Sequence, residues 1–126
     1  MSEYRPDRWV VVKIVTPKER LYKVFACWGG GYGGSDSWKM NSGITRASLV
    51  DDRWEFDGYS GSVYSCHWEA YGTNGYGGNV LQNFIDQMPS QGATMEIMPG
   101  ETDWSTLDYD PLQQWIESGI AREKTE

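Results

Sequence analysis

A chain of 126 residues is the length of one ordinary domain and leaves no room for a second core. Its formal net charge of −7 argues against direct binding to nucleic acid or an anionic membrane, and no run of the roughly 20 apolar residues that span a bilayer is present. The two cysteines, Cys27 and Cys66, are too few and too far apart for a disulfide scaffold or a zinc knuckle, so both read as buried thiols.

The amino terminus MSEYRPDRW lacks a hydrophobic signal region, which points to the cytoplasm. Residues 1–7 are expected to fray. Arg8 to Val15 (RWVVVKIV) is a β-branched run, Thr16-Pro17-Lys18-Glu19 is a turn, and Arg20 to Trp28 (RLYKVFACW) is extended again, so the two runs are expected to pair as a hairpin. The glycine-rich loop Gly29 to Gly34 follows. Ser37 to Asn41 and Ile44 to Val50 are the next strand candidates, separated by Ser42-Gly43, and Asp51-Asp52 reads as a turn. In Arg53 to Asp57 the charged Arg53, Glu55 and Asp57 alternate with Trp54 and Phe56, the period-two mark of a strand with one wet face. Val63 to Glu69 alternates likewise, with Tyr64, Cys66 and Trp68 on one face and Ser65, His67 and Glu69 on the other.

After a second glycine cluster, Gly72 to Gly78, the pattern turns helical. Val80, Leu81, Phe84, Ile85 and Met88 recur at helical spacing, with Asn79 as the expected cap and Pro89 as the stop. Ala93 to Met98 returns to strand. Asp110-Pro111 with Gln113 resembles a capping box opening a last helix, whose inward stripe is Leu112, Trp115, Ile116 and Ile120, before a tail at 122–126 expected to fray. Seven Trp, eight Tyr, three Phe and fifteen Gly fit sheets and tight loops better than helix bundles. The sum is a single α+β domain over 1–126: an antiparallel sheet of five or six strands with one or two helices on a face or edge.

Charge is distributed unevenly along this chain. The first 53 residues hold nine basic and six acidic side chains, whereas Trp54 to Ala121 holds ten carboxylates and neither Lys nor Arg. This predicts an electrically two-sided molecule whose acidic side steers basic partners toward it. Some of the acids have local explanations, Asp110 as a cap and Glu55 and Asp57 as a wet strand face. Glu101, Asp103 and Asp108, set around Trp104 and Tyr109, do not, and this segment is the candidate partner surface.

Catalytic signals are absent from the sequence. His67 is the only histidine, and as a strand neighbour of Cys66 it projects to the opposite face, so the pair is no thiolate-imidazole couple. Neither a G-x-S-x-G elbow nor an H-E-x-x-H metal site occurs, and the expectation is a non-enzyme without metal or cofactor. Gly29 to Gly34 satisfies G-x-G-x-x-G, but it leads into an extended segment rather than the helix that would hold a pyrophosphate. A glycine nest can hold phosphate without a helix. Gly-Tyr-Gly-Gly occurs at both Gly31 to Gly34 and Gly75 to Gly78, so a nucleotide site built from Tyr32, Trp38, Lys39, Arg46 and Tyr76 is the alternative reading.

In Asp36-Ser37-Trp38-Lys39-Met40-Asn41-Ser42-Gly43-Ile44, Gly58-Tyr59-Ser60-Gly61-Ser62-Val63-Tyr64 and Met95-Glu96-Ile97-Met98-Pro99 the chain resembles small proteins of tailed bacteriophages and prophages. The resemblance implies a context and assigns no site residue. Small acidic phage proteins of this kind inhibit a host defence protein by occupying its basic, nucleic-acid-binding surface, or act as sponges for a small nucleotide. The first would use Glu101, Asp103, Trp104, Asp108 and Tyr109 as its binding face. A virion or assembly role, as monomer or homodimer, is a third possibility.

Overall fold

The computed structural model describes residues 2–30 and 34–110. The last expected helix and the tail lie outside the described residues, as does Tyr32. Among the described residues eight strands and one main helix make an α+β fold: β1 (Glu3–Tyr4), β2 (Arg8–Val15), β3 (Arg20–Trp28), β4 (Ser37–Met40), β5 (Ile44–Val50), β6 (Arg53–Gly58), β7 (Val63–His67), α1 (Gly75–Gln87) and β8 (Thr94–Ile97). They form two sheets of four, in the orders β1-β7-β6-β5 and β4-β3-β2-β8, rather than the single sheet of five or six expected.

The expected hairpin is present, with Arg8 opposite Cys27 and Val15 opposite Arg20. What divides the sheet is the connection at Ser42-Gly43, which joins β4 to β5 across the two sheets rather than as a hairpin. Gly43 has φ 133°, a backbone that L side chains rarely adopt, and a Cβ there would meet the Tyr59 ring at 2.8 Å. Alternation tells which face a side chain takes but not which sheet its strand joins. The amino terminus, expected to fray, instead pairs in parallel with β7 through Glu3 and Tyr4.

The sheets pack face to face, and α1 covers the outer face of the second. β2 is therefore the middle layer. Trp9 and Val11 point into the core between the sheets, with Val24, Ile44, Phe56, Tyr64 and Cys66. Val10, Val12 and Ile14 point the other way, to Phe25, Cys27, Leu81 and Met95 beneath the helix. A strand buried on both faces needs the continuous apolar run that RWVVVKIV supplies. Both cysteines are buried, and burial pushes both thiols above their ordinary range.

The helix starts five residues earlier than expected, with Asn74 rather than Asn79 as its cap; Asn74 Oδ1 accepts from Gly77 N at 2.7 Å. Gly75 to Gly78 is thus the first helical turn and not a loop. Packing outweighs the poor helix propensity of glycine here, because a Cβ on Gly77 would stand 2.2 Å from Cys27 Sγ.

Buried tyrosines tie the layers and set an alkaline limit. Tyr71 accepts from Val11 N at 3.1 Å and donates to Met98 O at 2.6 Å. Burial pushes the phenols of Tyr64 and Tyr71 up to about 12 from an ordinary 10.0. Below pH 10 both are neutral folded or unfolded. Between about 10 and 12 the unfolded chain gives up protons that the folded chain keeps, so stability falls over that window. The buried thiols act in the same direction from about 9. Urea midpoints should hold steady from pH 7 to 8.5 and decline steeply by pH 11.

Candidate functional site

The segment after β8, read from sequence as a partner surface, is first of all part of the fold. Met98 N donates to Val11 O at 2.8 Å, and the backbone then crosses the open side of the sandwich. Trp104 is only 1% exposed, with ring centroids 6.0 Å from Trp9, 5.8 Å from Tyr71 and 6.3 Å from Phe56. Tyr109 is half-buried, packs edge-on against Tyr22 at 5.5 Å and donates to Trp104 O at 2.5 Å. Arg20 donates to Asp108 O at 2.9 Å, holding the segment to β3. Neither ring expected to anchor a partner is offered to one: Trp104 is enclosed, and Tyr109 is committed to the chain's own packing. In an irregular segment no periodicity distinguishes a ring that plugs the core from one that faces solvent.

The acids of the segment divide between two grooves. Asp108, Tyr109 and Asp110 line one of about 590 Å³ with Thr45, Arg46 and Tyr59. Arg46, expected to help hold a nucleotide, therefore shares a groove with two carboxylates. Glu101 and Asp103 rim the other groove, about 460 Å³, at the end of the first sheet beside the Asp51-Asp52 turn. Its floor is Trp9 and Trp104, and its wall is a row the sheet register sets up. Leu49 stands directly opposite Trp54, and Trp68 follows at the end of β7 in a short 3-10 turn. Leu49 is 54% exposed and Trp68 55%. A groove pairing exposed apolar area with two carboxylates, and with no cation among its described lining residues, suits a ligand group that is flat, partly apolar and positive.

Local chemistry fixes this geometry. Asp103 Oδ1 accepts from Ser105 N at 3.1 Å and Ser105 Oγ at 2.6 Å, capping the 3-10 turn that carries Trp104 inward. His67 Nε2 lies 3.1 Å from Asp52 Oδ2 and its Nδ1 accepts from Glu69 N, which sets the turn presenting Trp68. The sequence placed Trp68 on the face of Tyr64 and Cys66. The 3-10 turn ends that alternation, and the signal missed is that Trp68 lies where the strand pattern stops. Ser65, expected on the wet face, is buried because Arg53 folds over it, donating from Nε to Oγ at 2.8 Å.

The charge boundary seen along the sequence is crossed by strand pairing. Sequence halves interleave in the sheets: Lys13 stands opposite Glu96, and Arg46 opposite Asp57. Glu101 and Asp103 lack such a facing base in a strand ladder. Of the residues expected for a nucleotide, Trp38 stacks on Phe25 at 5.4 Å and meets Phe84 edge-on beneath α1. Its neighbour Lys39 points the opposite way, over the Tyr4 ring at 5.1 Å, and Tyr76 is 44% exposed on the first turn of α1. These side chains do not converge. Among the described residues no group of three His, Cys, Asp or Glu could hold a metal ion, and no helix is long and apolar enough to cross a membrane.

Fold and groove together define the class: a two-sheet α+β sandwich with one covering helix and an acidic, aromatic mouth. No family model, curated protein or solved structure matches the chain.

Proposed function

We propose that the chain is a non-catalytic binding protein that sets its acidic, aromatic groove against a basic surface of another protein, one that otherwise grips nucleic-acid phosphate. The observation that carries this reading is the groove itself, where Glu101 and Asp103 rim the exposed Trp68 and Leu49. Carboxylates pair with the partner's Arg and Lys, and the indole face receives the guanidinium plane. The resemblance to phage proteins makes a host defence protein the expected partner.

An arginine-rich peptide from a nucleic-acid-binding protein tests this by titration against the intrinsic tryptophan fluorescence. Binding should weaken markedly between 50 and 300 mM salt. Trp68→Ala should weaken it by roughly 10- to 30-fold with stability unchanged, and Glu101→Gln by a few-fold. Salt-insensitive binding, or affinity indifferent to both variants, would rule the reading out. A second reading is assembly, favoured by the exposed Leu49, Val50 and Ile97 on the edge strands β5 and β8. Under that reading light scattering finds a mass that rises with concentration.

A further inference from the structure

A third cleft lies at the opposite end of the first sheet from the groove, beside the turn that follows β6, and encloses about 290 Å³. Its chemistry is the reverse of the groove's. In a chain with eighteen carboxylates, none is among the described residues that line it. Instead Lys39, Asn41, Ser42, Ser60 and Ser62 converge there, together with Tyr4 and Tyr64.

Asn41 carries the argument. It is 4% exposed, its Oδ1 accepts from Val24 N at 2.9 Å, and its Nδ2 has no acceptor among the described residues. Turning the amide over would only sacrifice the Val24 bond. A buried donor left without an acceptor is uncommon and marks a place where something else supplies one. Nδ2 faces Gly58, the residue that opens the turn: a Cβ built there would lie 3.4 Å from it and 3.2 Å from Ser42 Oγ. That turn, closed by Gly58 N to Ser62 O and Gly61 N to Gly58 O at 3.0 Å each, brings Ser60 and Ser62 to the cleft. Ser42 Oγ accepts from Ser60 N at 2.9 Å, which leaves its hydroxyl proton to donate. Lys39 stands at the rim with its ammonium held over the Tyr4 ring.

We propose that this cleft binds a small oxyanion of phosphate size. Lys39 supplies the charge and the serine hydroxyls bond the oxygens, while the unpartnered Nδ2 of Asn41 adds a donor beneath the floor. The volume suits inorganic phosphate or a phosphomonoester group and is too small for a dinucleotide. Of the described residues expected to contact a nucleotide, Lys39 alone belongs to it. The proposal is independent of the groove and of any protein partner.

Thermal unfolding of the full chain in phosphate, against chloride at matched ionic strength, is the test. Phosphate should raise the midpoint progressively, by about 5 °C at ten times the dissociation constant. Lys39→Gln should abolish the rise, and Ser62→Ala should reduce it, each leaving the midpoint in chloride unchanged. Glycerol phosphate acting more strongly than inorganic phosphate assigns the site to a phosphomonoester, and equal action assigns it to the free ion. Phosphate acting no differently from chloride, or a rise that survives Lys39→Gln, overturns the proposal.

Discussion

Replacing Trp104 by Ala should cost about 3–5 kcal/mol of stability, read as a lowered urea midpoint with an unchanged slope. The indole is enclosed by Trp9, Phe56 and Tyr71, and its backbone carbonyl takes the Tyr109 hydroxyl, so truncation opens a cavity where both sheets meet. A domain of this size has only about 5–15 kcal/mol in total, so the variant should be partly unfolded at physiological temperature. Binding lost in Trp104→Ala should therefore follow the unfolded fraction, and the residual folded protein loses part of the groove floor as well. Trp68→Ala is the contrasting variant: its indole is more than half exposed, so its expected stability change is within about 0.5 kcal/mol while binding falls. The two tryptophans thus separate folding from recognition. A Trp104→Ala protein within about 1 kcal/mol of the parent would show that the 98–110 segment does not seal the core.

Gly77→Ala is the second change with a large expected effect, and its direction opposes helix propensity. On an ordinary helix surface this substitution stabilises, because alanine is the better helix former. Here the added methyl would stand 2.2 Å from Cys27 Sγ and 3.0 Å from Asn74 Oδ1, the cap itself. The helix must lift from β3 or the cap must break, and overpacking of this kind costs about 1–3 kcal/mol. Cys27→Ala removes the sulfur, so Gly77→Ala should cost distinctly less in that background. The cycle is read from four urea curves, and a coupling near zero would mean that the clash is relieved by some other movement.

Much of the fold was legible in local pattern. The hairpin of β2 and β3, the extents of β5 and β6, and the apolar stripe of α1 follow from β-branched runs, period-two alternation and three-and-four spacing. These are properties of a segment and its immediate turn. The division into two sheets was not legible, since it depends on which connections cross between sheets, among them the step through Asn41-Ser42-Gly43. The helix start was missed because its first turn is glycine, tolerated only where a sulfur from β3 occupies the missing Cβ. The candidate site was half legible. Glu101 and Asp103 were found as carboxylates without a folding role, although Asp103 also caps a turn. Leu49, Trp54 and Trp68 were not found, because they become one surface only through strand register.

By itself the sequence determined the α+β composition, the burial of Cys27 and Cys66, the hairpin of β2 and β3, and an acidic, ring-bearing stretch at 101–109. Each rests on the period of a segment or on the chemistry of single side chains. Tertiary structure alone decided what the charge and the rings do. By pairing β2 with β8 and β5 with β6 it set Lys13 against Glu96 and Arg46 against Asp57, and so brought bases of the first half beside acids of the second. By closing one side of the sandwich with the 98–110 segment it consumed Trp104 and left Trp68 exposed. Burial is a property of what lies across the gap, and that is fixed by how sheets stack rather than by neighbours in the chain.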